Sequence, residues 1–93
     1  MSEESVALVT RIIAMTPGDT ESKSVVMYVK DATPDYRRKL KNSLTSQWHK
    51  AVERAKDRID PRYIYEVETV EAFTRSGNFV ITAVAVCVDG DEL

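Results

Sequence analysis

The stretch Phe79-Val-Ile-Thr-Ala-Val-Ala-Val-Cys-Val88 decides the fold of this 93-residue chain. Its valines and its length are typical of a buried β-strand. Successive side chains of a strand point to opposite faces of the sheet. One face therefore receives Val80, Val84, Val86 and Val88, and the other receives Phe79, Ile81, Ala83, Ala85 and Cys87. Both faces of this strand are apolar, so both need to be covered.

The preceding segment, residues 63–73, predicts a neighbouring strand that is joined to the first by the turn Thr74-Arg-Ser-Gly-Asn78. Its alternation is imperfect, because Tyr63, Tyr65 and Val67 share one face whereas Val70 and Ala72 share the other. One extra residue in a strand exchanges its two faces. The sequence therefore predicts a β-bulge near Glu68 and Thr69.

A long amphipathic helix is predicted over residues 34–59. Thr33 is a suitable N-cap, Pro34 suits the first helical position and Asp35 complements the helix dipole. Pro61 disfavours helical geometry in the residue before it. Apolar residues recur at spacings of three and four, and they are Tyr36, Leu40, Leu44, Trp48, Ala51, Val52, Ala55 and Ile59.

The N-terminal part predicts two more strands. Residues 5–15 are rich in β-branched residues, Thr16-Pro-Gly-Asp19 has strong turn chemistry, and residues 24–30 read as the second strand of a hairpin. The predicted fold class is α+β. It has a four-stranded antiparallel sheet in the order ββαββ, with one long helix packed on one face.

Length and composition predict one domain over residues 1–93, with frayed termini at residues 1–4 and 89–93. The net charge of -2 gives no bulk attraction to nucleic acid or to anionic lipid. The acidic N-terminus lacks the basic region of a signal peptide, and no apolar run is long enough to span a membrane. The expected location is cytoplasmic, with no membrane partner.

The predicted helix is strongly basic. It contains eight of the thirteen basic residues and three acidic residues, so it carries +5 while the rest of the chain carries -7. Three interpretations are open. The charges form a solvated face; or Arg37, Arg38 and Lys41 bind an anionic ligand; or the helix pairs with the acidic Glu66-Val-Glu68 of a second subunit. Nucleic acid is disfavoured as the anion because no exposed aromatic residues interleave with this basic cluster.

Catalytic and metal-binding patterns are weak. His49 is the single histidine, and Cys87 lies within the valine-rich strand, where a thiol behaves as a small hydrophobe. A general base needs a partner and a pocket, and neither is visible. The sequence predicts no enzyme, no metal site and no cofactor.

Three aromatic residues are the remaining candidates for a partner-binding or anion-binding site, together with Arg37, Arg38 and Lys41. They are Trp48, Tyr63 and Tyr65. Trp48 is interpreted first as a core anchor of the helix, but aromatic residues are also enriched at interface hot spots.

The segment from Thr33 to Val88 resembles the small flavin-binding dodecins in its order of elements. In that family, a helix similar to Lys50-Ala-Val-Glu-Arg-Ala55 is followed by two long strands, and the subunits assemble into a hollow oligomer. The resemblance covers about 56 residues and rests on pattern, so it carries no site residues to this chain. The strand predicted at the N-terminus and the absence of a strand tryptophan depart from the family.

The predicted function is a small non-enzymatic binding or regulatory protein, such as an inhibitor, that self-associates or docks on a partner protein through its sheet. One helix cannot cover both faces of a sheet, which motivates a homo-oligomer or a protein partner. The alternative is an oligomeric binder of a small ligand or nucleotide that uses the aromatic residues and the basic helix at a subunit interface.

Overall fold

The computed structural model describes residues 3–93, except for the side chain of residue 4. Two α-helices and three β-strands alternate as αβαββ. The elements are α1 (Glu3–Ala14), β1 (Thr20–Tyr28), α2 (Pro34–Ala55), β2 (Tyr63–Phe73) and β3 (Asn78–Asp89), with short 3-10 turns at Val29–Asp31, Lys56–Arg58 and Gly90–Glu92. The α+β class is confirmed, but the predicted four strands and their order ββαββ are wrong.

The sheet has the order β1-β3-β2, and both pairings are antiparallel. The valine-rich strand β3 is therefore the central strand. The predicted hairpin between the two N-terminal strands does not form, because most of residues 5–15 are helical, and β1 pairs with β3 instead. The hairpin of β2 and β3 is confirmed, with Gly77 at a φ of 85° in the turn, a conformation that glycine adopts without strain.

Residues 5–15 were predicted as a strand, and this is wrong because most of them lie in α1. The buried residues Leu8, Val9 and Ile12 are spaced by one, three and four positions, so they share one side of a helix. Thr10 and Arg11 fall together on the exposed side, which a strand would not permit. The amphipathic pattern thus outweighs the β-propensity of the individual residues.

Helix α2 begins as predicted. The Thr33 hydroxyl accepts a hydrogen bond from the Tyr36 backbone N–H at 3.2 Å, and Pro34 occupies the first turn. The regular helix ends at Ala55, and the 3-10 turn Lys56–Arg58 extends it toward Pro61. Tyr36 does not join the apolar stripe, because its side chain is exposed.

The core lies between the two helices and one face of the sheet. It contains Leu8, Val9, Ile12, Met15, Ala32, Leu44, Trp48, Ala51, Ala55, Tyr65, Phe79, Ile81, Ala83, Ala85 and Cys87. All of the β3 residues in this set are odd-numbered. Both helices therefore cover the same face, and neither of these described helices covers the even-numbered valines of β3.

The β2–β3 register is continuous from Tyr63 opposite Asp89 to Phe73 opposite Phe79. The predicted bulge near Glu68 and Thr69 is therefore wrong. Without a phase change, Val70 and Ala72 lie on the face away from the helices. The apolar pattern changes within this regular strand because its last third is apolar on both faces: Val70 and Ala72 lie on one face, and Phe73 lies on the other.

Candidate functional site

The side of the sheet opposite the helices is the strongest candidate surface, and we call it the open face. Its centre is the even-numbered row of β3, whose side chains are all half-buried while the odd-numbered residues from Phe79 to Cys87 are buried. The sequence prediction that Val80, Val84, Val86 and Val88 share one face is consistent with this alternation. No described helix packs over this row.

The neighbouring strands extend this apolar surface on both sides. Residues directly opposite in an antiparallel register share a face, so Val26 and Ala72 flank Val80, while Ile64 lies beside Val88. Val26 is 61% exposed and Val70 is 60% exposed, which are high values for valines in a sheet. The open face contains Thr20, Ser22, Ser24, Val26 and Tyr28 of β1, Ile64, Glu66, Glu68, Val70 and Ala72 of β2, and Asn78, Val80, Thr82, Val84, Val86 and Val88 of β3.

Polar groups on the open face are arranged by strand. Within the three strands, its charged side chains are Glu66 and Glu68, both on β2. At the same height on β1 lie the hydroxyls of Thr20 and Ser22. The centre of the open face is less polar than its composition suggests, because the Ser24 and Thr82 hydroxyls form a hydrogen bond of 2.6 Å with each other. This pair satisfies two polar groups within the chain.

The sequence analysis found the centre of the open face but missed its flanks. Thr20 and Ser22 were assigned to a loop, because the polar residues before Ser24 hid the start of the strand. The predicted bulge assigned Val70 and Ala72 to the face that the helices cover. Treating residues 63–73 as one regular strand places both residues on the open face.

Two of the predicted site residues lie in the core. Trp48 is 0% exposed and Tyr65 is 8% exposed, so a partner does not reach either side chain in this fold. The interpretation of Trp48 as a core anchor is confirmed. The Trp48 Nε1 and the Tyr65 hydroxyl are both buried without a hydrogen-bond partner among the described residues.

The residues of the predicted basic cluster have different surroundings. The Arg37 guanidinium lies 5.7 Å from the ring centroids of both Phe73 and Phe79, so it covers the end of the core as a cation–π contact. Arg38 forms an exposed ion pair with Asp35 at 3.7 Å. Lys41 is exposed and Tyr63 is half-buried. Anion binding by these residues stays a prediction.

Cys87 and His49 have very different surroundings. Cys87 is fully buried, as predicted, and burial raises the pKa of its thiol. A raised pKa lowers the thiolate fraction on which nucleophilicity depends. His49 is exposed on α2. Among the described residues, no group of three histidine, cysteine or carboxylate side chains is placed to hold a metal ion.

Burial raises the pKa of Tyr65 to about 12, and its cross-strand neighbour Cys87 contributes in the same direction. Below pH 10, tyrosine is neutral in both the folded and the unfolded chain. Between pH 10 and about 12, the unfolded chain loses a proton that the folded chain keeps. We therefore expect the free energy of unfolding to fall as the pH rises through this interval.

Chemical denaturation at a series of alkaline pH values measures this effect. Tyr65→Phe removes the titrating group and keeps the ring, so it is the matched control and should show a shallower decline above pH 10. Equal slopes for the two proteins would show that Tyr65 ionises normally in the folded chain.

A groove of about 570 Å³ lies beside the free edge of β1, near the start of α2. It is lined by Val25, Val26, Met27, Asp31, Thr33 and Tyr36. Tyr36 contributes to it because it lies off the apolar stripe that packs on the sheet. The groove is separate from the basic cluster, whose residues do not line it.

Comparison with known families places the chain in a described domain family. The family described as "Domain of unknown function (DUF7609)" matches residues 7–89 of the chain. The chain belongs to this family. Its matched range includes all three strands and α2, so the open face lies within the family's domain. No curated protein and no solved structure matches the chain. No helix among residues 3–93 is both long and apolar enough to cross a membrane.

Proposed function

We propose that this protein is a binding module that associates with a second copy of itself through the open face. The observation that carries this proposal is the uncovered apolar row of β3, flanked by exposed apolar residues of β1 and β2. Contiguous apolar surface of this kind is typical of a protein–protein interaction site.

The size of the open face supports a second copy as its occupant. Three strands about 4.8 Å apart, with a rise of about 3.3 Å per residue, give a face of about 14 Å by about 35 Å. Each subunit would contribute about 500 Å², and a pair would bury about 1,000 Å², which reaches the lower limit for a specific interface. A patch of equal size on each partner is what a symmetric dimer requires.

The positions of Cys87 and His49, the two residues weighed as catalytic candidates, also support a binding function, because the fold keeps them apart. Cys87 lies in the core, and His49 lies on the exposed side of α2. The resemblance to dodecins in element order implies assembly of subunits as well.

Sedimentation equilibrium of the full chain tests the proposal directly. Across low to high micromolar concentrations, we expect the apparent mass to rise from that of a 10.5 kDa monomer to twice that value. The driving force is the burial of apolar area on both subunits. A mass that stays at 10.5 kDa over the whole range would contradict self-association.

A further inference from the structure

We propose that the two copies pack face to face around a two-fold axis that runs along β3, so that β1 of one subunit lies over β2 of its partner. This arrangement rests on the proposed function, since it specifies how the open faces meet. It follows from the register of the strands and from the distribution of polar groups on the open face.

Two kinds of symmetric packing bring two open faces together. In the first, the two-fold axis is parallel to the strands. Each residue then keeps its height, meaning its position along the strand direction, and β1 lies over the partner's β2. In the second, the axis crosses the strands; β2 then lies over the partner's β2 in the opposite direction. Both are compatible with the small crossing angle of aligned sheets.

The register decides what the two glutamates meet. Ser22 and Glu68 are both paired with Val84, so they have the same height on opposite sides of β3. Thr20 and Glu66 share the height of Val86 in the same way. An axis along β3 therefore places Ser22 opposite the partner's Glu68, and Thr20 opposite the partner's Glu66.

This juxtaposition is chemically favourable because a hydroxyl can donate to a carboxylate. Hydrogen bonds of this kind are charge-assisted and stronger than neutral ones. The symmetry generates each contact twice, so four carboxylates gain hydroxyl donors. The Thr20 and Ser22 side chains are exposed and accessible for this contact.

The apolar end of the open face also matches itself under this axis. Val26 and Ala72 share the height of Val80, so Val26 lies opposite the partner's Ala72. Ser24 lies opposite the partner's Val70, and its hydroxyl is already bonded to Thr82. Apolar groups thus meet apolar groups or polar groups that are satisfied within their own subunit.

An axis across the strands gives no equally favourable contacts for the two glutamates. If it passes near Glu68, that carboxylate meets the partner's Glu68, and like charges across an interface are repulsive. If the axis is displaced toward Thr82, Glu68 and Glu66 instead meet Val70 and Ala72 of β2 on the other copy. A carboxylate buried against apolar groups is costly.

Thiol cross-linking distinguishes the two axes. In a Cys87→Ala background, Val84→Cys and Val86→Cys are tested as separate variants, each with a bifunctional thiol reagent that spans the roughly 10 Å between packed sheets. An axis along β3 places each residue opposite its own copy, so both variants should form covalently joined dimers. An axis across the strands maps only one height onto itself, so at most one of the two variants would cross-link.

A charge exchange tests the polar contacts. Ser22→Asp places a carboxylate opposite the partner's Glu68, and it should weaken association about tenfold, whereas Ser22→Lys should strengthen it. The double variant with Ser22→Asp and Glu68→Ser should restore association.

The cross-linking experiment has its own control. Asn42→Cys lies on the exposed side of α2 and should not cross-link.

The outcomes separate the arrangement from the proposed function. Sedimentation of a dimer, with cross-linking at neither or only one of positions 84 and 86, would overturn the axis and leave self-association intact. A monomer at every concentration would overturn both. Cross-linking at both positions, together with restoration in the charge exchange, is the expected result.

Discussion

Replacing Trp48 with alanine is expected to lower the free energy of unfolding by about 3–5 kcal/mol. Trp48 is among the largest fully buried side chains and lies in the middle of α2, on the stripe that contains Leu44 and Ala51. Its removal leaves a cavity between the helix and the sheet that the rest of the core cannot fill without moving. A domain of this size has a total stability of only about 5–15 kcal/mol.

Urea denaturation followed by far-UV circular dichroism measures this loss. His49→Ala is the matched control, because His49 is the next residue along the helix and is exposed. It should change stability by less than about 0.5 kcal/mol. All proteins are compared at one concentration, since association stabilises the folded chain.

Trp48→Phe refines the interpretation. The Trp48 Nε1 has no acceptor among the described residues, so losing this N–H breaks no hydrogen bond to them. The phenylalanine variant should therefore be clearly more stable than the alanine variant. A Trp48→Ala protein as stable as the wild type would show that this tryptophan is not in the core.

The sequence predicted α2 well because several independent signals agree there. The cap at Thr33, the proline after it and the repeating apolar positions all indicate the same helix, and the structure confirms its start. The central strand was equally clear, since ten consecutive residues contained only one polar side chain, Thr82. These two elements determine which face of the sheet is covered.

The N-terminal segment was not predictable from propensity, because its composition and its periodicity disagree. Valine, isoleucine and threonine favour strands, but the buried positions Leu8, Val9 and Ile12 follow a helical spacing. Periodicity is the stronger signal when the two conflict. The misassignment added a strand to the sheet and removed a helix from its covered face.

The sequence could not show which aromatic residues would be exposed. Burial of Tyr65 depends on its cross-strand position next to Cys87, and this requires knowledge that β3 is central. Similarly, Arg37 reaches Phe73 and Phe79 only because the end of β2 lies near the start of α2. Such contacts are long-range in sequence and leave no local pattern.

Replacing Val84 with aspartate is expected to weaken self-association by at least about 100-fold, which corresponds to about 2.7 kcal/mol. Val84 lies on the central strand, in the apolar row of the open face, between Ser22 on β1 and Glu68 on β2. An aspartate there would have to lose its hydration when the open faces meet. It would also add negative charge beside Glu68, and an uncompensated buried charge costs several kcal/mol.

Sedimentation equilibrium of Val84→Asp at the concentrations used for the wild type gives the change in dissociation constant. Val84→Thr keeps the branched shape and strand propensity but adds a hydroxyl, so we expect it to weaken association less than aspartate does. Asn42→Asp adds the same charge on the exposed side of α2 and should leave association unchanged. Circular dichroism must show that each variant is folded, which the half-buried position of Val84 on the face away from the core permits. Because the core side of β3 is untouched, a folded Val84→Asp protein that still sediments as a dimer would place the interface elsewhere on the molecule.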